Sequence, residues 1–267
     1  MSPFDRELEV AKSAVQAAGQ SLMSWELRPE EEWKGRIDPV SDADREAQRA
    51  TVSVLLEAFP DDLVVSEEDI QSTEPGVSGK RRWYLDPLDG TTNYLRDRPH
   101  WCVSLALVDS TDSAVCAAVL APPTDDLFLA VRGEGATCNG ADLRARERGS
   151  LERAVIGSGF PYSFEDPHRT NLPEWAAVTV KALAVRCSGA AALDLCDVAR
   201  GRLDAFWEIE LEPWDIVAGA LIAREAGAIT TRLDGSKIDG PATELLAAAP
   251  GLHAKVLETL LSVGHND

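Results

Sequence analysis

One stretch constrains this chain more than any other: Trp83-Tyr84-Leu85-Asp86-Pro87-Leu88-Asp89-Gly90-Thr91-Thr92-Asn93-Tyr94. It opens as a short apolar run, which predicts a buried strand, and turns at Pro87 and at Asp89-Gly90. Asp86 and Asp89 stand at the strand's end with Pro87 and Leu88 between them. A strand sends alternate side chains to opposite faces. Pro87 interrupts that alternation, so both carboxylates can reach one side. Gly90 lets the backbone approach a ligand closely, and the amides and hydroxyls of Gly90, Thr91 and Thr92 offer donors to an oxyanion. Carboxylates for a hard cation beside donors for an anion form the layout of a metal-assisted phosphoryl site. Asp, Gly and Pro are also ordinary turn residues, so the rest of the chain has to decide.

Charge narrows the options. Asp and Glu number 45 against 26 Lys and Arg, a net charge of −19. Such a surface repels nucleic acid and anionic membrane, and neither is expected as a partner. It also repels a phosphorylated substrate, so a phosphate site here needs bound cations. The five cysteines, Cys102, Cys116, Cys138, Cys187 and Cys196, form no Cys-x-x-Cys pair. They read as mostly buried free thiols, which suits a reducing cytoplasm. The histidines, His100, His168, His253 and His265, are scattered without zinc spacing and read as surface or packing residues. No apolar run is long enough to span a bilayer, and the start lacks a basic segment followed by an apolar core.

Taken in order, Leu8, Ala11, Val15, Ala18 and Leu22 recur at helical spacing. Glu26 to Pro39 is polar and reads as an exposed loop. Ser41 and Asp44 form a capping-box pair for a second helix that stops at Pro60. Leu63-Val64-Val65 is a short strand that runs into the acidic Ser66-Glu67-Glu68-Asp69. Residues 71–80 read as a loop. Three β-rich runs, Trp101 to Val108, Ala114 to Ala121 and Leu127 to Val131, predict consecutive antiparallel strands. Residues 144–150 are the candidate boundary between an N-terminal α+β half (1–148) and a C-terminal α/β half (149–267). In the second half, strands at Ala154–Ile156, Ala182–Val185 and Leu203–Trp207 alternate with helices at Leu172–Val180 and Ala192–Ala199. Asp215 reads as the N-cap of a helix that stops at Gly227. A strand at Leu245–Ala248 and a helix at Leu252–Leu261 close the chain. Glu67, the Asp86/Asp89 pair and Asp215 thus all fall at strand ends or helix starts, where α/β folds place their sites.

Over nearly its whole length the chain resembles the inositol monophosphatase family. The resemblance rests on Ser66-Glu67-Glu68, Asp86 to Tyr94, Gly157-Ser-Gly-Phe-Pro-Tyr162, Arg186 to Leu195, Gly201 to Glu208 and Trp214 to Gly219. It implies an αβαβα layered sandwich of the inositol monophosphatase / fructose-1,6-bisphosphatase type, combining α+β and α/β parts, and a Mg²⁺-dependent phosphate monoester hydrolase that forms a homodimer. By matched position it implies Glu67, Asp86 and the Leu88 carbonyl at one Mg²⁺. Asp86, Asp89 and Asp215 are implied at a second, and a weaker third ion near Glu67 and Asp44. Glu67 and Thr91 would orient the attacking water, with Asp44 counted among the catalytic groups. Gly90, Thr91 and Thr92 would hold the phosphate. Asp89, Gly189, Ala190, Ala191 and Glu208 would face the alcohol. Oxygen ligands suit Mg²⁺ over Zn²⁺, and the resemblance also implies inhibition by lithium.

Glu210 and Glu212 depart from the family pattern, since many bacterial relatives carry glycine and a basic residue there. Ala190 stands where others have Thr or Ser. The expected substrate is inositol 1-phosphate. Histidinol phosphate, or another sugar or nucleotide phosphate, is the alternative. Two rival classes remain. Haloacid-dehalogenase-type phosphatases place one residue between their two carboxylates, whereas two stand between Asp86 and Asp89. A non-catalytic regulatory relative would have no need of Glu67, Asp86, Asp89, Thr91 and Asp215 together.

Overall fold

The computed structural model describes residues 3–25, 32–33, 39–67, 80–161 and 170–263. Helix α1 (Asp5–Met23) buries Ala11, Val15, Ala18 and Leu22 along the predicted stripe. Short strands β1 (Glu32–Trp33) and β2 (Pro39–Val40) pair antiparallel within the segment expected to be loop; its other residues, like the loop at 71–79, lie outside the described residues. Helix α2 (Asp42–Ala58) starts at the Ser41/Asp44 capping box and ends before Pro60.

The first sheet has seven strands in the order β3 (Leu63–Ser66), β4 (Arg82–Asp89), β5 (Cys102–Val108), β6 (Ala114–Ala121), β7 (Asp126–Val131), β8 (Gly135–Cys138) and β9 (Ala141–Asp142). β3 runs parallel to β4 and the rest are antiparallel neighbours. Its alternating faces feed two cores. Trp83, Leu85, Val103, Leu105 and Leu107 pack against α1 and α2. Tyr84, Ala106, Val119 and Phe128 pack the other way.

The second sheet has the order β11 (Ala184–Arg186), β10 (Val155–Ser158), β12 (Ala205–Ile209), β14 (Glu244–Ala248), β13 (Ile229–Thr231). Helices α5 (Ala191–Ala199) and α6 (Pro213–Glu225) lie between the sheets and contribute to the cores on both sides. Helices α4 (Leu172–Thr179) and α7 (His253–Leu261) cover the outer face. The layers therefore run αβαβα. Ile216 to Ala223 of α6 are all buried, as expected of a helix with a sheet on each side.

Four further expectations change. The central strand does not turn at Pro87 but continues through Asp89. The second sheet is mixed, because β14 is antiparallel to both its neighbours while β10 is parallel to its own. Strands β8, β9 and β13 were not expected; the longest has four residues, too few to show a period. Asp215 is the third residue of α6 rather than its N-cap, which is Glu212. Pro213 takes the first helical position, where a missing N–H is harmless.

Candidate active site

The β4 register explains how the two central carboxylates share a face. Asp86 pairs with Ser104 and Asp89 with Cys102, so three steps on β4 match two on β5. This bulge at Pro87-Leu88 shifts the alternation by one residue. Leu88 joins the core under α1 and α2. Asp89 points the other way, its Oδ2 accepting from the Ala192 amide at 2.8 Å and its Oδ1 from the Ala191 amide at 3.2 Å. Asp86 Oδ1 accepts from the Leu88 amide at 2.9 Å. Ser66 pairs with Leu85 across the parallel β3–β4 ladder, so Glu67 emerges beside Asp86.

Asp215 arrives from the other sheet's side. Its Oδ2 accepts from the Glu212 amide at 2.9 Å, closing a capping box at the start of α6. The Ser104 hydroxyl donates to the Trp214 carbonyl at 3.2 Å and fastens that helix start to the strand opposite Asp86. Sequence reading missed Ser104. Its trace was a lone hydroxyl within Cys-Val-Ser-Leu-Ala-Leu-Val, an otherwise apolar run.

The electrostatics are those of crowded acids. Burial pushes Asp86 well above the usual carboxylate range, and Glu67, Asp89 and Asp215 add like-charge repulsion. Asp215 is raised by burial and then by Asp89 and Glu67. Asp89 is pushed up to about 6 by burial, against the pull of the Ala192 amide and the Cys102 thiol. Among the described residues, Asp86, Asp89 and Asp215 form no ion pair with Lys or Arg, and their acceptor oxygens meet only backbone amides and one thiol. Crowded carboxylates in this state, Asp86 and Asp89 buried and Asp215 half-buried, fit divalent cations with oxygen preference.

Asp44 and Thr91 form the second element. Asp44 is 1% exposed, and its Oδ2 accepts from the Ser41 amide at 2.9 Å and hydroxyl at 2.5 Å. The Thr91 hydroxyl lies 3.0 Å from Asp44 Oδ1 and 3.1 Å from the Leu88 carbonyl. Its one proton serves one acceptor at a time. Burial raises Asp44 to about 6, with Glu67 adding to the shift and Ser41 opposing it. Asp44 is thus more than the helix cap its spacing announced.

Gly90, at the start of helix α3 (Thr91–Leu95), lies against Gly189 and Ala190, at the start of α5 with Ala191, too closely to leave room for a Cβ. Thr92 is exposed on α3. Glu208 lies within β12, raised well above its ordinary value by burial and by Asp215, Asp194 and Asp89. Glu210 follows with φ +56°, a left-handed conformation uncommon for a residue with a Cβ. Glu212 is exposed. Glu68, Asp69 and Tyr162, named in the sequence motifs, lie outside the described residues.

Another trio, His100, Asp194 and Asp197, brings one ligating atom each within 4.8 Å of one another. These groups already serve each other and an arginine. His100 Nε2 lies 3.0 Å from Asp194 Oδ1, and Arg200 Nε lies 3.0 Å from Asp197. Cys102, Cys116 and Cys196 are buried free thiols, as expected; Cys138 is half-buried and Cys187 exposed. Among the described residues no helix is long and apolar enough to cross a membrane.

Comparison with known proteins gives the family of the chain. The model of the inositol monophosphatase family matches residues 5–265. An inositol-1-monophosphatase of Synechocystis sp. is 36% identical over 263 residues, covering 97% of this chain and 91% of that protein. A putative Nus factor SuhB of Neisseria meningitidis is 37% identical over 266 residues, covering 97% and 98%. The solved inositol monophosphatase of Anabaena (Nostoc) sp. superposes with a TM-score of 0.88 at 29% identity, covering 99% of each chain. A solved IMPase/NADP phosphatase, complexed with Mg²⁺ and phosphate, superposes with a TM-score of 0.77 at 27% identity, covering 93% and 91%. The chain belongs to the inositol monophosphatase family and is a phosphoric monoester hydrolase.

Proposed function

We propose that the protein is a Mg²⁺-dependent phosphatase of small phosphorylated alcohols, with inositol 1-phosphate as its substrate. The observation that carries this reading is the convergence of Glu67, Asp86, Asp89 and Asp215 beside the Asp44–Thr91 pair. Glu67, Asp86 and the Leu88 carbonyl hold one Mg²⁺. Asp86, Asp89 and Asp215 hold a second, with a weaker third near Glu67 and Asp44. The complex of an IMPase/NADP phosphatase with Mg²⁺ and phosphate supports the choice of ion. When bound, Mg²⁺ neutralises the carboxylates, polarises the phosphoryl group and makes water more acidic.

The chain's own groups do the rest. Glu67 and the Thr91 hydroxyl orient the attacking water. Asp44, accepting from Thr91 at 3.0 Å, receives the proton that the pair passes on. The amides of Gly90 and Thr91, with Thr92, hold the phosphate. Asp89, Ala191 and Glu208 face the alcohol's hydroxyls, and Gly189 and Ala190 shape that wall. Buried carboxylates accept hydroxyl donors and reject analogues that lack them. Li⁺ competes at the Asp89/Asp215 ion and inhibits. The working unit is a cytoplasmic homodimer.

Histidinol phosphate is the second reading, favoured by Glu210 and Glu212 beyond Glu208, whose charge attracts an amine. An exposed pair contributes about 0–1 kcal/mol, less than the tenfold that 1.36 kcal/mol represents, so the inositol reading is preferred. The test is phosphate release from a panel of phosphomonoesters with and without Mg²⁺. Faster turnover of histidinol phosphate than of inositol 1-phosphate would reverse the choice.

A further inference from the structure

The phosphate side and the alcohol side of the site come from different layers, and one neutral side chain joins them. Asn93, in α3, is 3% exposed. Its Nδ2 donates to the His100 carbonyl at 2.7 Å and to the Ser188 carbonyl at 2.8 Å, with the Gly189 carbonyl at 3.4 Å. Three carbonyls from two segments distant in sequence therefore meet at one amide nitrogen. Only a donor suits that place, because carbonyls offer lone pairs and no protons.

The glycines on either side are shaped to this junction. Gly189 has φ +84°, and a Cβ there would stand 3.3 Å from Asn93 Nδ2. Gly90 has φ +93°, and a Cβ there would stand 3.0 Å from the His100 carbonyl, 3.1 Å from the Gly189 carbonyl and 3.2 Å from Ala190 Cβ. Both need the left-handed conformation that glycine adopts freely, and both are held at contact distance. The segment 188–192 is also tied to β4 by the bonds from the Ala191 and Ala192 amides to Asp89. Those depend on a carboxylate whose oxygens are wanted elsewhere once a cation binds. Asn93 carries no charge and has no such second duty.

We propose that Asn93 is a positioning residue that sets the distance between the phosphate-holding turn at Gly90-Thr91 and the alcohol-facing turn at Gly189–Ala191. It touches neither substrate nor ion. This inference rests on the reading of Gly189–Ala191 as the alcohol side. Removing the amide should loosen the 188–192 segment while leaving the carboxylates in place. The Gly90–Thr91 turn keeps its own bonds to Asp44 and Leu88. Selectivity for an alcohol should then fall while plain ester cleavage persists.

The test compares wild type with Asn93→Ala and with the milder Asn93→Ser, which retains one donor. Amide hydrogen exchange is followed along the chain. kcat/KM is measured for inositol 1-phosphate, histidinol phosphate and p-nitrophenyl phosphate, together with the Mg²⁺ concentration for half-maximal rate. Asn93→Ala should speed exchange at 188–192 with α1 and β5 unchanged. It should lower kcat/KM for the preferred alcohol at least tenfold more than for p-nitrophenyl phosphate, with Mg²⁺ half-saturation within about twofold. Asn93→Ser should move the same way by less, and it carries the test if Asn93→Ala fails to fold. Unchanged exchange at 188–192, or equal losses on all three esters, overturns the positioning role. A wild type that favours p-nitrophenyl phosphate over both alcohols overturns the alcohol-side reading instead, and the exchange data still judge the contact.

Discussion

The proposed phosphate and alcohol sides of the site are built differently. On the phosphate side, most fixing contacts are local, Asp86 to Leu88, Asp44 to Ser41 and Thr91 to Leu88, and the longest, Thr91 to Asp44, spans 47 positions. On the alcohol side, the fixing contacts from Asp89 to Ala191 and Ala192 and from Asn93 to Ser188 span about a hundred residues, as does the Ser104–Trp214 bond that places Asp215. Local bonds form as soon as the chain turns. The long ones need the two sheets and the α5/α6 layer assembled first, because ordering a long intervening loop costs entropy. The first side is a property of a motif and the second of the tertiary fold.

The largest predicted effect lies on the phosphate side. Asp86→Asn removes the carboxylate proposed to serve both ions. It should lose at least ~10²–10³-fold in kcat, the scale of losing one electrostatic stabiliser. Steady-state kinetics at saturating Mg²⁺ check this, and near wild-type turnover would remove Asp86 from the metal site.

Next comes the pH dependence of the metal-free protein. Asp44 titrates near 6 in the folded chain against 3.8 for an ordinary aspartate. The folded state therefore binds more protons than the unfolded state between those values, and stability falls as pH rises through that window. The shift amounts to about 3 kcal/mol for this group. Asp89, also raised to about 6, acts in the same direction. Thermal melts in chelator should show Tm falling from pH 4 to pH 7. Mg²⁺ at a hundredfold over its Kd should restore about 2.7 kcal/mol at pH 7. A metal-free Tm that rises over this range would contradict the crowded-acid picture.

Smaller effects test the long-range contact at Ser104 and the turn at Glu210. Ser104→Ala removes the bond to the Trp214 carbonyl. It should cost about 1 kcal/mol of stability and raise the Mg²⁺ requirement, because Asp215 rides on the same helix start. Chemical denaturation and a Mg²⁺ titration of activity read both; an unchanged Mg²⁺ requirement would separate Ser104 from Asp215. Glu210→Gly relieves a left-handed conformation that costs roughly 1–2 kcal/mol in a residue with a Cβ. Glycine's larger unfolded-state freedom offsets about 0.5–1 kcal/mol of that gain. A rise in Tm of ~2–4 °C is expected for about 1 kcal/mol in a chain of this size. A drop would show that the Glu210 side chain stabilises the turn by more than the strain costs.

The same contrast explains what the sequence made legible. The α1 stripe, the Ser41/Asp44 capping box and the turn at Asp89-Gly90 carry their reasons within a few residues, and reading recovered them. The bulge at Pro87-Leu88 was half visible. Proline announced an interruption, but only the pairing with β5 shows that the strand resumes and delivers Asp89 on the Asp86 face. Asp215 was found as an acid at a helix start and misplaced by three positions, because Glu212 and Pro213 look like the end of the preceding loop. Ser104 and Asn93 were invisible as site residues: their partners, Trp214 and Ser188, lie 110 and 95 positions away. The three-residue strand β13 carries no period to read. The αβαβα order came from the family resemblance, since periodicity alone does not say which helices lie between two sheets.

The central claim is that the acids at the ends of β3 and β4 and at the start of α6 form a cation site on which turnover depends. Its most direct measurement is phosphate release from inositol 1-phosphate by the chelator-treated protein as Mg²⁺ is titrated back at constant ionic strength. Turnover should be absent in chelator and rise to saturation with Mg²⁺. Turnover in chelator equal to that at saturating Mg²⁺ would contradict the account.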